Sequence, residues 1–381
     1  MMLRPVRLVL LALLALAGPA IAPARAFETA AREAILIDDT TGTVLFEKNA
    51  DQRMPPSSMS KMITVYMLFS RLAEGALSLD DTFPVSEKAW RKGGSKMFVE
   101  VGKRVRVEDL IQGIVVQSGN DAAIVAAEGM AGSEAAFVTE LNTLAKRLGM
   151  TRSTFKNASG WPEEGHLTTA RDLATLAHHT IHDFPQYYHY YGEKSFTYNG
   201  IRQGNRNPLL YRNAGADGLK TGHTQSGGYG LTASAVRDGR RLILVMNGLD
   251  SVRARARESE RLLEYGFREF TNYTLFKAGD TVANADVWLG ETATVPLVIG
   301  EDLVVTLARR ARSEMTVTAV YQGPIPTPIK KGQRLATLRI VAPNTAPIER
   351  PLIAGRAVGK LAAFRRLGAA VSYLLWGPSA R

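Results

Sequence analysis

The chain has 381 residues, with 47 lysines and arginines against 36 acids and a formal net charge of +11. That length suffices for two domains and a sizeable core, and the lack of any cysteine excludes a disulfide framework and thiolate chemistry. The basic balance suits anionic surroundings such as a membrane surface or an acidic polymer; with no zinc-finger spacing and no RNA-recognition signature, nucleic acid is not an expected partner.

The first 26 residues read as a secretory leader. Arg4 and Arg7 precede an apolar run from Leu8 to Ala17, and Ala24-Arg25-Ala26 fits the small-residue cleavage rule. The run is too short for a comfortable membrane span. Export is expected, with Phe27 as the first mature residue.

From Ala34 to Asp51 the sequence reads as strand, turn, strand around Asp38-Asp39-Thr40-Thr41-Gly42. A helix is predicted from Ser58 to about Ala73, apolar on nearly every face and therefore buried rather than amphipathic. Further helical patterns cover Val107–Val116, Asp121–Met130, Glu134–Leu148 and Thr169 to about His182. Two apolar runs flanking Asp238-Gly239 predict a hairpin. After Phe270 come short β-rich runs separated by Gly, Pro and Asn, the texture of a small all-β domain. These patterns predict an α+β first domain, a helical cluster against an antiparallel sheet. The expected division is a leader over 1–26, a first domain over 27–272, a β-rich domain over 273–357 and a tail over 358–381. In that tail Leu361, Phe364, Leu367, Val371, Leu374 and Leu375 fall on one arc of a helix, beside Lys360, Arg365 and Arg366. Such a helix would lie in a membrane interface rather than span it.

The predicted buried helix starts at "MPPSSMSKMITVYMLF", Met54–Phe69. Residues three or four apart on a helix share a face, so Ser58 and Ser57 can each meet Lys61, whereas Ser60 cannot share the Ser58 side. Ser57, after Pro56, is expected to be the N-cap. That leaves Ser58 at the positive helix end, with Lys61 desolvated and able to take its proton. S-x-x-K alone is weak: Ser153-Thr154-Phe155-Lys156 matches it in a loop. Two further elements lift the signal, Ser118-Gly119-Asn120 between apolar helical stretches and Lys220-Thr221-Gly222 leading into a strand. The ordered trio S-x-x-K, S-x-N, K-T-G is far more specific than its parts.

At these residues the chain resembles the penicillin-interacting serine acyl-transferases, and more closely the low-molecular-mass penicillin-binding proteins of the D-alanyl-D-alanine carboxypeptidase group. The resemblance extends through Gly93–Phe98, Asn205–Asn207, "GLKTGHT" and "RESERLLEYGFREF", and on through the β-rich domain and the tail. It implies a transpeptidase/β-lactamase-like fold, Ser58 as nucleophile, Lys61 as general base and Ser118 as a proton relay. It further implies substrate binding by Asn120, Lys220, Thr221, Gly222, His223, Arg206 and Arg255, with the backbone N–H groups of Ser58 and His223 as oxyanion hole. No metal and no cofactor is implied. The expected function is a periplasmic carboxypeptidase that trims the terminal D-alanine from peptidoglycan pentapeptide stems, is acylated by β-lactam antibiotics and rests on the anionic inner-membrane surface through its C-terminal helix. The rivals are a β-lactamase of the same fold and a non-catalytic β-lactam sensor or wall-binding module. Against the β-lactamase, Glu163 and Glu164 lack the E-x-x-L-N context of a class A deacylating base. His178, His179 and His182 have helical spacing that could hold a metal, but with no H-E-x-x-H and few carboxylates nearby they read as a solvated helix end.

Overall fold

The structure is a computed structural model and describes residues 27–343, 345–362 and 368. The expected leader and nearly all of the expected tail helix lie outside the described residues.

Strands β1 (Glu33–Asp38) and β2 (Val44–Lys48) form a hairpin. Helix α1 (Lys61–Ala73) follows a single 3₁₀ turn over Ser57–Ser60. The small strands β3 (Thr82–Pro84) and β4 (Arg104–Arg106) flank the short helix α2 (Glu87–Arg91). Helices α3 (Val107–Val115), α4 (Asn120–Ala131), α5 (Glu134–Arg147) and α6 (Ala170–Asp183) complete the helical cluster. A side hairpin of β5 (Ser195–Tyr198) and β6 (Ile201–Gly204) leads to β7 (Ala216–Thr224), β8 (Gly228–Arg237) and β9 (Arg240–Leu249). Helix α7 (Val252–Glu269) ends the first domain.

Strands β2-β1-β9-β8-β7 form one antiparallel sheet in that order. Strand period 2 sorts its side chains to two faces. Ile35, Ile243 and Val245 join the core under α1, α3, α4 and α6, whereas Ala34, Leu36, Leu244 and Met246 pack with Leu262 and Leu263 of α7. The sheet is therefore buried on both sides, the middle of three layers. Helix α1 crosses the helical layer with Met62, Ile63, Leu68 and Phe69 fully buried, each such side chain contributing roughly 1.5–3 kcal/mol by its removal from water. Helix starts follow local chemistry: Ser133, Thr169 and Ser251 accept the backbone N–H groups of Ala136, Asp172 and Ala254. At the β8–β9 turn Asp238 and Gly239 have φ of 49° and 75°, the left-handed pair that a tight hairpin requires.

The β-rich part begins with β10 (Phe270–Phe276), which pairs with β13 (Leu303–Ala308). A second sheet runs β14-β16-β17-β12-β11-β15. It is built from β11 (Thr281–Trp288), β12 (Thr294–Ile299), β14 (Thr316–Val320), β15 (Ile325–Pro326), β16 (Arg334–Val341) and β17 (Ile348–Ala354). This part has its own core, including Leu297, Leu338 and Leu352. Val358 and Lys360 still bridge to Ile329 and Gly290. The first domain meets it where Asn272 Nδ2 donates to Asp38 Oδ1 at 3.2 Å and Thr41 Oγ1 lies 2.5 Å from Thr306 Oγ1.

Candidate active site

The 3₁₀ turn before α1, the α3–α4 connection, the loop over 157–161 and the edge strand β7 converge on one cleft of about 580 Å³. Ser58, Ser118, Asn120, Thr221, Gly222, His223, Arg206 and Arg255 all line it. Lys61 and Lys220 lie just beneath, almost fully buried. The residues singled out from sequence thus come together in space.

Lys61 Nζ has three close neighbours: Ser58 Oγ at 3.0 Å, Asn120 Oδ1 at 2.6 Å and the Ser159 carbonyl at 2.5 Å. Burial, reinforced by the Arg206 and Lys92 cations and opposed by Asp121, pushes the Lys61 amine down to about 7. A neutral amine has two protons and one lone pair. Asn120 Oδ1 and the Ser159 carbonyl can only accept, so they take both protons and turn the lone pair toward Ser58 Oγ. Asn120 is held in that orientation because its Nδ2 donates to the Gly93 carbonyl at 2.8 Å.

Ser57 is not the N-cap that the sequence suggested. Its φ is 49°, and its hydroxyl lies 3.0 Å from Thr224 Oγ1, so it ties the nucleophile turn to β7. Ser60 Oγ donates to the Ser57 carbonyl at 3.0 Å and is withdrawn from the cleft. Ser153, in the competing S-x-x-K match, is engaged with Thr168 and Asp172. Lys220, expected at a strand entrance, sits in mid-strand, paired with Thr232 across β7 and β8. The strand therefore fixes Lys220, Thr221, Gly222 and His223 as one rigid edge of the cleft.

Lys220 donates to the Thr221 carbonyl at 3.2 Å, Arg255 Nη2 to the Arg206 carbonyl at 3.3 Å and Arg206 Nη1 to Ser95 Oγ at 2.5 Å. None of these partners is a carboxylate. Burial, together with Lys61, Arg206 and Arg255, holds Lys220 well below the usual lysine range, and burial likewise lowers Arg255 to about 10. The cleft is a cationic pocket without its own counter-ion.

Sequence reasoning did not single out Ser159, Asp121 or Trp161. Ser159 acts through its carbonyl, which carries no residue-type signal. The buried Asp121 carboxylate accepts the backbone N–H groups of Met97, Phe98 and Val99 at 2.9, 2.9 and 3.2 Å, fixing the segment that carries Gly93–Ser95. Trp161 lines the cleft, with Lys92 Nζ 4.3 Å from its ring centroid. Asp121 adjoins the Ser-Gly-Asn element and was findable as a charge at a helix start. Glu163 and Glu164 line a separate cavity beyond Gly160–Pro162, where Asn157 Nδ2 donates to Glu163 Oε2 at 3.0 Å. Among the described residues no carboxylate lines the cleft.

A serine hydroxyl within hydrogen-bond reach of a buried lysine whose amine burial pushes down to about 7, beside an antiparallel sheet edge and a cationic pocket, defines a serine acyl-transferase. Comparison with known proteins gives the family. Residues 20–250 match the D-alanyl-D-alanine carboxypeptidase family, peptidase S11, and residues 270–360 match the C-terminal domain of penicillin-binding protein 5. The chain is 40% identical over 331 residues to D-alanyl-D-alanine carboxypeptidase DacC of Escherichia coli (strain K12), covering 85% of this chain and 83% of that protein. The crystal structure of the D-alanyl-D-alanine carboxypeptidase DacD from Francisella tularensis superposes with a TM-score of 0.80 at 31% identity, over 89% of this chain and 96% of that one. Penicillin-binding protein D2 from Listeria monocytogenes in its ampicillin-bound form superposes with a TM-score of 0.59 at 30% identity, over 64% of this chain and all of that one. The chain belongs to the serine D-alanyl-D-alanine carboxypeptidase family.

Proposed function

We propose that the protein removes the terminal D-alanine from peptidoglycan pentapeptide stems through an acyl-enzyme on Ser58. The observation that carries this reading is the set of partners around Lys61 Nζ, of which Asn120 Oδ1 and the Ser159 carbonyl can only accept while Ser58 Oγ carries a proton. Ser58 Oγ attacks the penultimate D-alanine carbonyl while Lys61 Nζ takes its proton. The backbone N–H groups of Ser58 and His223 stabilise the oxyanion. The terminal carboxylate enters the pocket of Lys220, Thr221, Arg206 and Arg255. Burial and then the neighbouring cations depress Lys220; the bound anion offsets the cations and so favours the charged lysine. Collapse of the tetrahedral intermediate breaks the amide bond, and D-alanine leaves with a proton relayed through Ser118. Water then hydrolyses the ester.

The same machinery supports acylation by β-lactam antibiotics, whose carboxylate and strained amide present the same groups. Among the described residues no carboxylate lines the cleft, which argues against fast deacylation of the penicilloyl group, and hence against the β-lactamase alternative. We place the protein in the periplasm, on the outer face of the inner membrane. This rests on the leader-like sequence over 1–26 and on the basic amphipathic pattern of the tail. The test is release of D-alanine from diacetyl-Lys-D-Ala-D-Ala. Turnover by the wild type and none by Ser58→Ala is expected; penicillin labelling without peptide turnover would favour a sensor instead.

A further inference from the structure

The β1–β2 turn and one face of α6 bring together a cluster of metal-ligating atoms, none of which lines the catalytic cleft. His178 Nδ1 lies 2.7 Å from Asp39 Oδ1, and His182 Nε2 lies 2.8 Å from Asp39 Oδ2. The two histidines are four residues apart and share a helix face, with ring centroids 4.4 Å apart. One ligand atom from each of the three residues falls within 4.8 Å of the others. Sequence spacing alone lacked a carboxylate here; the fold supplies it from 139 residues earlier in the chain.

The carboxylate is set in place before any ligand arrives. Asp39 is buried, and its backbone N–H donates to the Arg241 carbonyl at 3.0 Å. The preceding Asp38 accepts the N–H groups of Thr40 and Thr41 and an Arg240 N–H, which fixes the turn. The histidine side chains are 49% and 51% exposed, so a water-borne ion can reach them and the rings have room to adjust. Charge acts in both directions. Arg241 Nε lies 4.0 Å from Asp39 Oδ2 and opposes a cation, but its Nη1 is engaged by Asp217 Oδ2 at 2.7 Å. Asp183, paired with His179 at 3.0 Å, adds negative charge to the same helix end.

We propose that Asp39, His178 and His182 form a binding site for a borderline divalent cation of the zinc type, with water completing the coordination. Two imidazoles and one carboxylate are the donor set such ions prefer, and three protein ligands leave a position open. Around metal–ligand bonds of about 2.0–2.2 Å in a tetrahedron, ligand atoms stand roughly 3.3 Å apart. The two hydrogen-bonded pairs, made to different Asp39 oxygens, would widen by about half an ångström, while the set of one ligand atom per residue, now within 4.8 Å of one another, would draw in to a common centre by rotation of the half-exposed rings. Each imidazole moves its proton to the ring nitrogen away from Asp39 and presents a lone pair in its place. The ion would clamp the β1–β2 turn to α6, joining the sheet to the helical layer. The same turn contacts the β-rich part through Thr41 and Asp38. Its expected effect is stabilisation by preferential binding to the folded chain, not chemistry at Ser58.

The test uses full-length protein without an affinity tag, titrated with zinc chloride by calorimetry and with cobalt(II) by visible absorption. The wild type should bind about one cation per chain, with cobalt giving the bands of a tetrahedral imidazole site. His182→Gln and Asp39→Asn should each weaken zinc binding at least tenfold, on the scale of losing a group that ligates or orients, whereas His179→Gln should not. Zinc should raise the melting temperature of the wild type and of His179→Gln only. Penicillin acylation at Ser58, unchanged in every variant, verifies folding independently. The proposal is overturned if the wild type shows no saturable binding at millimolar zinc. It is equally overturned if His178→Gln combined with His182→Gln binds as the wild type does.

Discussion

At the scale of single residues, the site turns on one amine. The lone pair of Lys61 is available only when Nζ is neutral, and burial pushes that amine down to about 7. A group acting as base loses function as it gains its proton, so acylation should rise with pH and level off above that value. Below it the rate should fall roughly tenfold per pH unit. Stopped-flow measurement of β-lactam acylation between about pH 5 and pH 8 checks this; a flat profile would mean that Lys61 titrates elsewhere or is not the base. Asn120 and Ser159 belong to the same device, because their oxygens decide which way the lone pair points. The Lys61–Ser58 pairing was legible in sequence from helical spacing. The Ser159 carbonyl was not, since any residue type offers the same oxygen. Ser57 was misread for a related reason: its position after Pro56 suggested a cap, but a φ of 49° sends its hydroxyl to Thr224 instead.

At the scale of elements, the nucleophile turn is shaped by what presses on it. Gly160 has φ of 76°, and a Cβ there would fall 1.9 Å from the Ser57 carbonyl oxygen and 2.5 Å from Ser60 Oγ. Backbone cannot yield as a flexible side chain can, so Gly160→Ala should push the turn or the 157–161 loop aside. A displacement near 1 Å at the reacting atoms costs about 10²-fold in rate. We therefore expect Gly160→Ala to lower the acylation rate by about that factor, while far-ultraviolet circular dichroism shows a folded protein. Acylation at the wild-type rate would show that the turn tolerates the shift. Most elements around this turn were readable in sequence. Helix α1 declared itself by apolar residues on nearly every face, and the helical patterns over Glu134–Leu148 and from Thr169 to about His182 located α5 and α6. The β8–β9 hairpin followed from Asp238-Gly239. Helix α7 was not read as a helix, although Ser251, Leu262, Leu263 and Gly266 mark its start and buried stripe. Arg255, which the resemblance placed at the substrate, is buried and lines the cleft, whereas Arg253 and Arg257 on the same helix are exposed. Lys220-Thr221-Gly222 was expected to lead into a strand, whereas Lys220 lies in the middle of β7.

At the scale of the whole molecule, three apolar clusters are found among the described residues, one on each face of the five-stranded sheet and one in the β-rich part, and every residue lining the cleft precedes the β-rich part in the chain. The tail is separable from them in sequence. Deleting residues 361–381 should leave β-lactam acylation unchanged and abolish sedimentation with vesicles rich in anionic lipid, since a basic amphipathic segment gains both apolar burial and charge attraction at such a surface. Equal sedimentation of the full and shortened chains would remove the anchor from the account.

The central claim, that Ser58 is the nucleophile, meets its most direct test in the fragment ions of one peptide. Trypsin should release Met54–Lys61, which contains Ser57, Ser58 and Ser60 together, so intact peptide mass cannot distinguish them and fragment-ion sequencing is needed. After a brief incubation with benzylpenicillin, the account predicts a single penicilloyl group on Ser58 and none in Lys61→Ala over the same interval. An adduct on Ser57 or Ser60, or on a peptide outside the cleft, would contradict it.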